Sequence, residues 1–256
     1  MKKTILTSAL TPLFIGAMAL PACATTVPIT TSRTTKPSWL PSNTAFFISP
    51  HQDDELLSMG ADIEAHVKAG RTVAVILMTD GSGSSARSKM CADTVYYCLT
   101  VDQFIAARNR EFIAGVTALG VKPSNIFFEN LKDGGTNAVL DEQVLTKWAK
   151  WFPKASYKGE SYRDKHVDHI ALGNALRAMK SKGKIIDVRY YQFRPYWSTM
   201  PVTSGWFVQG GPRVKAAIAA YNVWQPSVGR FAIGPRYSVP PSFKALASDL
   251  RSKVHK

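Results

Sequence analysis

The chain has 256 residues, 45% of them hydrophobic, with 32 basic against 18 acidic side chains and a formal net charge of +14. That length and apolar content exclude a disordered chain and a small disulfide-stapled scaffold, and fit one globular domain. The positive balance favours anionic neighbours, but the cations are scattered, with only a mild concentration over 147–184 and no recognisable nucleic-acid module. A nucleic-acid partner is therefore not expected.

Lys2 and Lys3, the apolar stretch 4–20 and the small-residue exit Pro21-Ala22-Cys23-Ala24 have the three-part layout of an export signal over residues 1–24. Ala22-Cys23-Ala24 fits cleavage before Thr25, which leaves a soluble product. Leu20-Pro21-Ala22-Cys23 equally resembles a bacterial lipobox, which would make Cys23 a lipid-bearing first residue. Either way the expectation is export to a periplasmic or extracellular location, with membrane contact only through that lipid. Residues 25–43, rich in Thr, Ser and Pro, read as a tether, and 44–256 as the folded domain.

Strand and helix patterns then alternate. Residues 44–49 read as a buried strand, 54–69 as a helix stopped by Gly70, and the β-branched run 71–78 as a strand covered on both faces. An irregular insertion over 81–100 contains Cys91 and Cys98, whose export context and spacing favour a disulfide over a metal pair. A helix is expected over 101–119, a strand over 125–129, a helix over 140–152, another over 166–179, and a strand over 185–193. Helices at 214–223 and 243–253 complete the reading. The βαβα rhythm predicts an α/β, Rossmann-like, mainly parallel sheet with helices on both faces, in a single domain.

Such sheets bind ligands beyond the carboxyl ends of their strands. His51-Gln52-Asp53-Asp54-Glu55 follows the first strand, Asp80-Gly81 the second, and Asp133-Gly134-Gly135 the third, while His166-Val167-Asp168-His169 opens a helix. Imidazole and carboxylate are the donors a zinc-like ion accepts in an open catalytic site. His51 and Asp54, three apart, can face one ion, leaving Asp53 free to accept a proton. Glu55 suits the helix N-terminus. By spacing alone either His166 or His169 can complete the ligand set, with Asp168 orienting or charging the other.

The two clusters resemble the signatures of the N-acetylglucosaminyl-phosphatidylinositol de-N-acetylase family, also called PIG-L or LmbE-like: an apolar strand ending in His-Pro-Asp-Asp-Glu, and a later His-x-Asp-His. Thr79-Asp80-Gly81, Arg108-Asn109-Arg110-Glu111 and Leu119-Gly120 match the intervening pattern in order and spacing. The resemblance implies that His51, Asp54 and His169 bind Zn2+, or another divalent metal, and that Asp53 is the general base. It implies that His166 stabilises the oxyanion or protonates the leaving amine, with Asp168 tuning its charge. It also implies removal of an acetyl group from an N-acetylglucosamine-type sugar or glycoconjugate, and an anionic envelope polymer is a further possible partner. The rival readings are a silent carbohydrate-binding relative and a metal hydrolase of another amide or ester. Gln52 and Val167 stand where the family has proline, and Ser82 where it has an acidic residue. The prolines bear on local rigidity; Ser82 and the insertion bear on substrate identity.

Overall fold

The computed structural model describes residues 32–93, 97–198 and 205–256. The expected export signal over 1–24, with Cys23, lies outside the described residues. The apolar run before His51 forms β1 (Ala45–Ser49), and the turn that follows carries a short α1 (Asp54–Leu57) and then α2 (Gly60–Lys68). The single helix expected over 54–69 is thus broken at Ser58-Met59. β2 (Val73–Thr79) follows, fully buried like β1. The insertion holds α3 (Ala86–Asp93), and Cys91 is disulfide-bonded to Cys98. Next come α4 (Val101–Ala118), β3 (Ile126–Leu131) and α5 (Ala138–Trp151). Thr100 and Gln103 form a reciprocal capping box at the start of α4, and Asn137 caps α5 through the N–H groups of Val139 and Leu140.

β4 (Ser156–Glu160) was not foreseen, although it lies in the middle of the sheet. Its sequence, Ser-Tyr-Lys-Gly-Glu, has no apolar run, yet every residue is buried. Lys158 lies 5.7 Å from the Phe47 ring centre and 3.9 Å from Asp62, Glu160 points toward the site, and Gly159 admits α6 (Val167–Ser181) so closely that a Cβ would meet Leu176 at 2.8 Å. β5 (Asp187–Gln192), a short β6 (Trp206–Val208), α7 (Pro212–Tyr221), a small hairpin of β7 (Trp224–Gln225) and β8 (Arg230–Phe231), α8 (Pro240–Ser248) and β9 (Ser252–His255) complete the chain. The helix expected over 243–253 therefore ends early. Asp249 is extended and binds Arg251 and Arg194, and the chain then adds β9 to the sheet.

The sheet runs β3-β2-β1-β4-β5-β9-β6; the first five strands are mutually parallel, and β9 and β6 are added antiparallel. Alternate residues feed two cores, as a period of two requires. Phe46, Ile48, Ala74, Ile76, Tyr157 and Val188 face α5 and α6, whereas Phe47, Val75, Leu77 and Tyr191 face α2, α4, α7 and α8. Residues 32–43 lie on this domain: Leu40 is buried in the first of these cores, and Ser32 donates to Glu129, which also takes Lys147 and Trp148. On the far side of α6, Gly173 faces the loop after β4, where a Cβ would stand 2.3 Å from the Tyr162 nitrogen.

Candidate active site

The carboxyl ends of the parallel strands open into a pocket of about 500 Å³ lined by residues from both sequence clusters and from the C-terminal third. His51 ends the β1 turn, and His166 caps α6, whose first turn carries Asp168 and His169. The rings of His51 and His166 lie 4.7 Å apart, those of His166 and His169 4.9 Å, and those of His51 and His169 5.3 Å. Candidate donor atoms of the three histidines fall within 4.8 Å of one another.

Asp54 Oδ2 is the point of convergence. His51 Nδ1 lies 3.0 Å from it, His169 Nε2 3.1 Å, and the His51 N–H donates to it at 3.0 Å. The outer nitrogen of each imidazole faces a carboxylate. His51 Nε2 lies 3.0 Å from Asp168 and 3.2 Å from Asp133, and His169 Nδ1 lies 3.4 Å from Asp164. Burial opposes charge on both rings, but the surrounding carboxylates outweigh it and raise both imidazoles well above the usual histidine range. Burial likewise works against Asp54, yet His169 and His51 hold it well below the carboxylate range. His166 differs: burial and the charges of its two neighbours lower it, so it stays neutral more readily.

Asp53 adopts φ 124°, a region that L-residues seldom enter. Its N–H donates to Glu55 Oε2 at 3.1 Å, and Tyr221 donates to Glu55 Oε1 at 2.7 Å. Glu55 thus serves the start of α1, as its position suggested, and burial pushes it up to about 8. Arg108 and Ser238 each donate to Asp53 Oδ2 at 3.2 Å. Burial raises Asp53 to about 6 against the pull of Arg108, with the Asp54 charge adding to the rise. A carboxylate near that value is a competent proton acceptor at neutral pH.

A divalent metal fits this donor set. Two imidazole nitrogens converge on one carboxylate oxygen, while each ring's other nitrogen faces a carboxylate, as the second groups around metal-binding histidines do. A cation held there would meet the same carboxylates that raise the two imidazoles. Among the described residues, His169 Nδ1 and both oxygens of Glu160 are buried without a hydrogen-bond partner, and burial raises Glu160 well above the carboxylate range.

All six residues singled out in the sequence meet here. Asp168, however, bonds to His51 rather than to His166, and is itself held by the Gly134 N–H and the Thr136 hydroxyl. Its influence on His166 is the through-space effect of its charge. Arg108, Asp133, Glu160, Asp164 and Ser238 had no assigned role. Two signals were available: Asp133 sits in the Gly-rich turn after the third strand, and Asp164 stands two residues before His166. Gln52, in place of proline, donates to Asn109 Oδ1 at 2.8 Å and to the Asp80 carbonyl, tying the His51 turn to α4 and the end of β2.

Comparison with solved structures shows the same fold at low identity. A triple mutant of a deacetylase of the teicoplanin biosynthetic pathway is 19% identical with a TM-score of 0.61, covering 83% of this chain and 96% of that chain. The teicoplanin deacetylase Orf2 is also known in a zinc-inhibited form, 16% identical with a TM-score of 0.60 and the same coverage. N,N'-diacetylchitobiose deacetylase from Pyrococcus horikoshii is 17% identical with a TM-score of 0.56, covering 80% and 77%. GalB, the 4-carboxy-2-hydroxymuconate hydratase from Pseudomonas putida KT2440, is also 17% identical, with a TM-score of 0.54, covering 80% and 88%. No curated protein matches the sequence significantly. A model of the GlcNAc-PI de-N-acetylase family, PIG-L, matches residues 46–180, which include both histidine clusters and more than half of the chain, and the chain belongs to that family.

Proposed function

We propose that this metal-dependent N-deacetylase is an exported enzyme that removes the acetyl group from an N-acetylglucosamine-type sugar or glycoconjugate, with zinc held by His51, Asp54 and His169. The observation that carries the reading is the convergence of His51 Nδ1 and His169 Nε2 on Asp54 Oδ2, beside a buried Asp53. Bound there, zinc would supply Lewis acidity, polarising the amide carbonyl and making water acidic enough to lose a proton near neutral pH. Asp53 takes that proton. Arg108 and Ser238 occupy its Oδ2, which leaves Oδ1 as the basic atom. His166, on the pocket rim, supplies the hydrogen bond to the developing oxyanion, and the proton that Asp53 has taken passes to the leaving amine. Asp168 holds His51 in register and adds negative field at His166. Hydrolysis then gives acetate and a free amine.

Family membership and the sugar-derived substrates named for its structural neighbours support the substrate class. The leader-like residues 1–24 and the Cys91–Cys98 disulfide support export, since such bridges persist in oxidising compartments. The test is acetate release from a panel of N-acetylated sugars by zinc-loaded protein, with Asp53→Ala and His169→Ala alongside. Release by wild type that Asp53→Ala loses while keeping zinc supports the assignment. Silence across the panel, with zinc bound, removes the substrate class and turns the search to other amides and esters.

A further inference from the structure

Outside the catalytic pocket, a second cleft of about 740 Å³ lies along the outer side of α6. We propose that it binds the anionic units of an acidic glycan whose acetylated sugar enters the catalytic pocket, a reading that rests on the deacetylase assignment above.

The cleft is built from the loop after β4 and from residues spaced along α6. Because position 173 has no side chain, α6 packs directly under the loop and Tyr162 is set above the helix. Tyr162 meets the rings of Tyr190 and His255 edge-on at 5.1 and 5.5 Å, which fixes it. Two guanidinium groups rest on this one ring: Arg177 at 4.1 Å from its centre and Arg163 at 5.6 Å. A cation–π contact orients a guanidinium without neutralising it, and leaves its N–H edge free for a carboxylate or phosphate. Lys180 and Lys256 add further positive charge, and Asn174 adds a neutral donor.

Most revealing is the absence of acidic partners. Among the described residues, none of the cleft cations Arg177, Lys180 and Lys256 pairs with an acidic side chain. One turn further on, Lys182 and Lys184 both grip Glu142, at 2.7 and 2.9 Å, while Lys147 pairs with Glu129 and Arg251 with Asp249. No acidic side chain lines the cleft, so Arg177, Lys180 and Lys256 are gathered there and left to repel one another. An anionic ligand removes that repulsion, and a chain carrying a net charge of +14 attracts one.

The loop after β4 and α6 each contribute residues to both the cleft and the catalytic pocket. Tyr162 is two residues from Asp164, which faces His169, and Arg177 lies on the same helix as His169, roughly 12 Å further along at 1.5 Å per residue. That is the reach of a short oligosaccharide. A glycan with its N-acetyl group in the pocket can place acidic neighbours against Arg177 and Lys180.

Calorimetry on the zinc-loaded protein tests this with oligosaccharides of alternating N-acetylglucosamine and glucuronate, neutral chitooligosaccharides of equal length, and a glycerol-phosphate oligomer. The acidic ligands should bind at least tenfold more tightly than the neutral ones, and less tightly as salt is raised. The advantage should vanish in Arg177→Glu/Lys180→Glu, while acetate release from a neutral disaccharide stays within twofold of wild type. Preference for glucuronate or for glycerol phosphate identifies the anion. Equal affinity for acidic and neutral ligands, or a preference that survives the double substitution, overturns the proposal. Failure to release acetate from any sugar, with acidic binding present and lost in the variant, instead overturns the deacetylase reading and leaves the cleft as a glycan-binding site.

Discussion

Residues 46–180 and residues 181–256 contribute to the catalytic pocket in different ways. The first region provides every imidazole and carboxylate of the pocket, drawn from short segments at strand ends. The second provides Phe193 and Tyr196 on one wall, the Ser238 hydroxyl on Asp53, and Tyr221 on Glu55. Glu111, from the first region, holds the second in place by accepting backbone N–H groups from Phe231, Ile233 and Gly234. The reacting groups come from a few short motifs, whereas their support comes from scattered residues of the last third.

The comparison is tested most severely at its chemical end. His169→Ala should abolish stoichiometric zinc binding, read by metal analysis, and reduce acetate release to background. Retained zinc with retained activity would move the metal away from the Asp54 convergence point. Asp53→Ala should keep the metal and lower kcat by about 10²–10⁴. A supporting residue should behave otherwise. Glu111→Ala strands three backbone donors in the interior, and should cost about 2–4 kcal/mol of stability by denaturant unfolding while zinc binding survives. Ser238→Ala removes one hydrogen bond from the base and should lower kcat about fivefold with KM within twofold, and Ser238→Thr should restore it. A KM effect alone would recast Ser238 as a substrate contact.

The smallest effect is a matter of pH. Burial, with the nearby Asp168 charge, pushes Asp141 on α5 from 3.8 up to about 7, and its Oδ1 has no hydrogen-bond partner among the described residues. Between those values the folded chain keeps a proton that the unfolded chain has lost, so stability falls as pH rises from about 4 through 7. Asp141→Asn should therefore raise Tm by a few degrees at pH 8 and leave it nearly unchanged at pH 4. A uniform shift at both pH values would assign the effect to packing.

The mainly parallel sheet was legible in the sequence because strand and helix patterns alternate and β1 and β2 announce themselves as apolar runs. β4 was not, since Lys158 and Glu160 are buried for reasons that only tertiary neighbours such as Asp62 and His169 supply. The helix expected over 243–253 runs into the first two residues of β9; it ends at Ser248, where the extended Asp249 pairs with Arg194 and Arg251. The site divides the same way. His51, Asp53, Asp54, His166, Asp168 and His169 fall in two dense motifs, whereas Ser238 is an ordinary serine until the fold brings it to Asp53. Arg108 was noticed only as part of a spacing pattern, and its grip on Asp53 and on the Gln52 carbonyl depends on how α4 meets the β1 turn.

Position 173 deserves a geneticist's eye. Its single hydrogen lets α6 lie against the strand-end loop that carries Asp164 toward the pocket and Tyr162 into the cleft. Any heavier allele there must displace that loop, so one missense change would blunt catalysis and polymer capture together, although the residue touches neither ligand. Lineages that keep one activity and drop the other should carry their changes elsewhere, in the histidines or in the cleft cations, and leave this glycine alone.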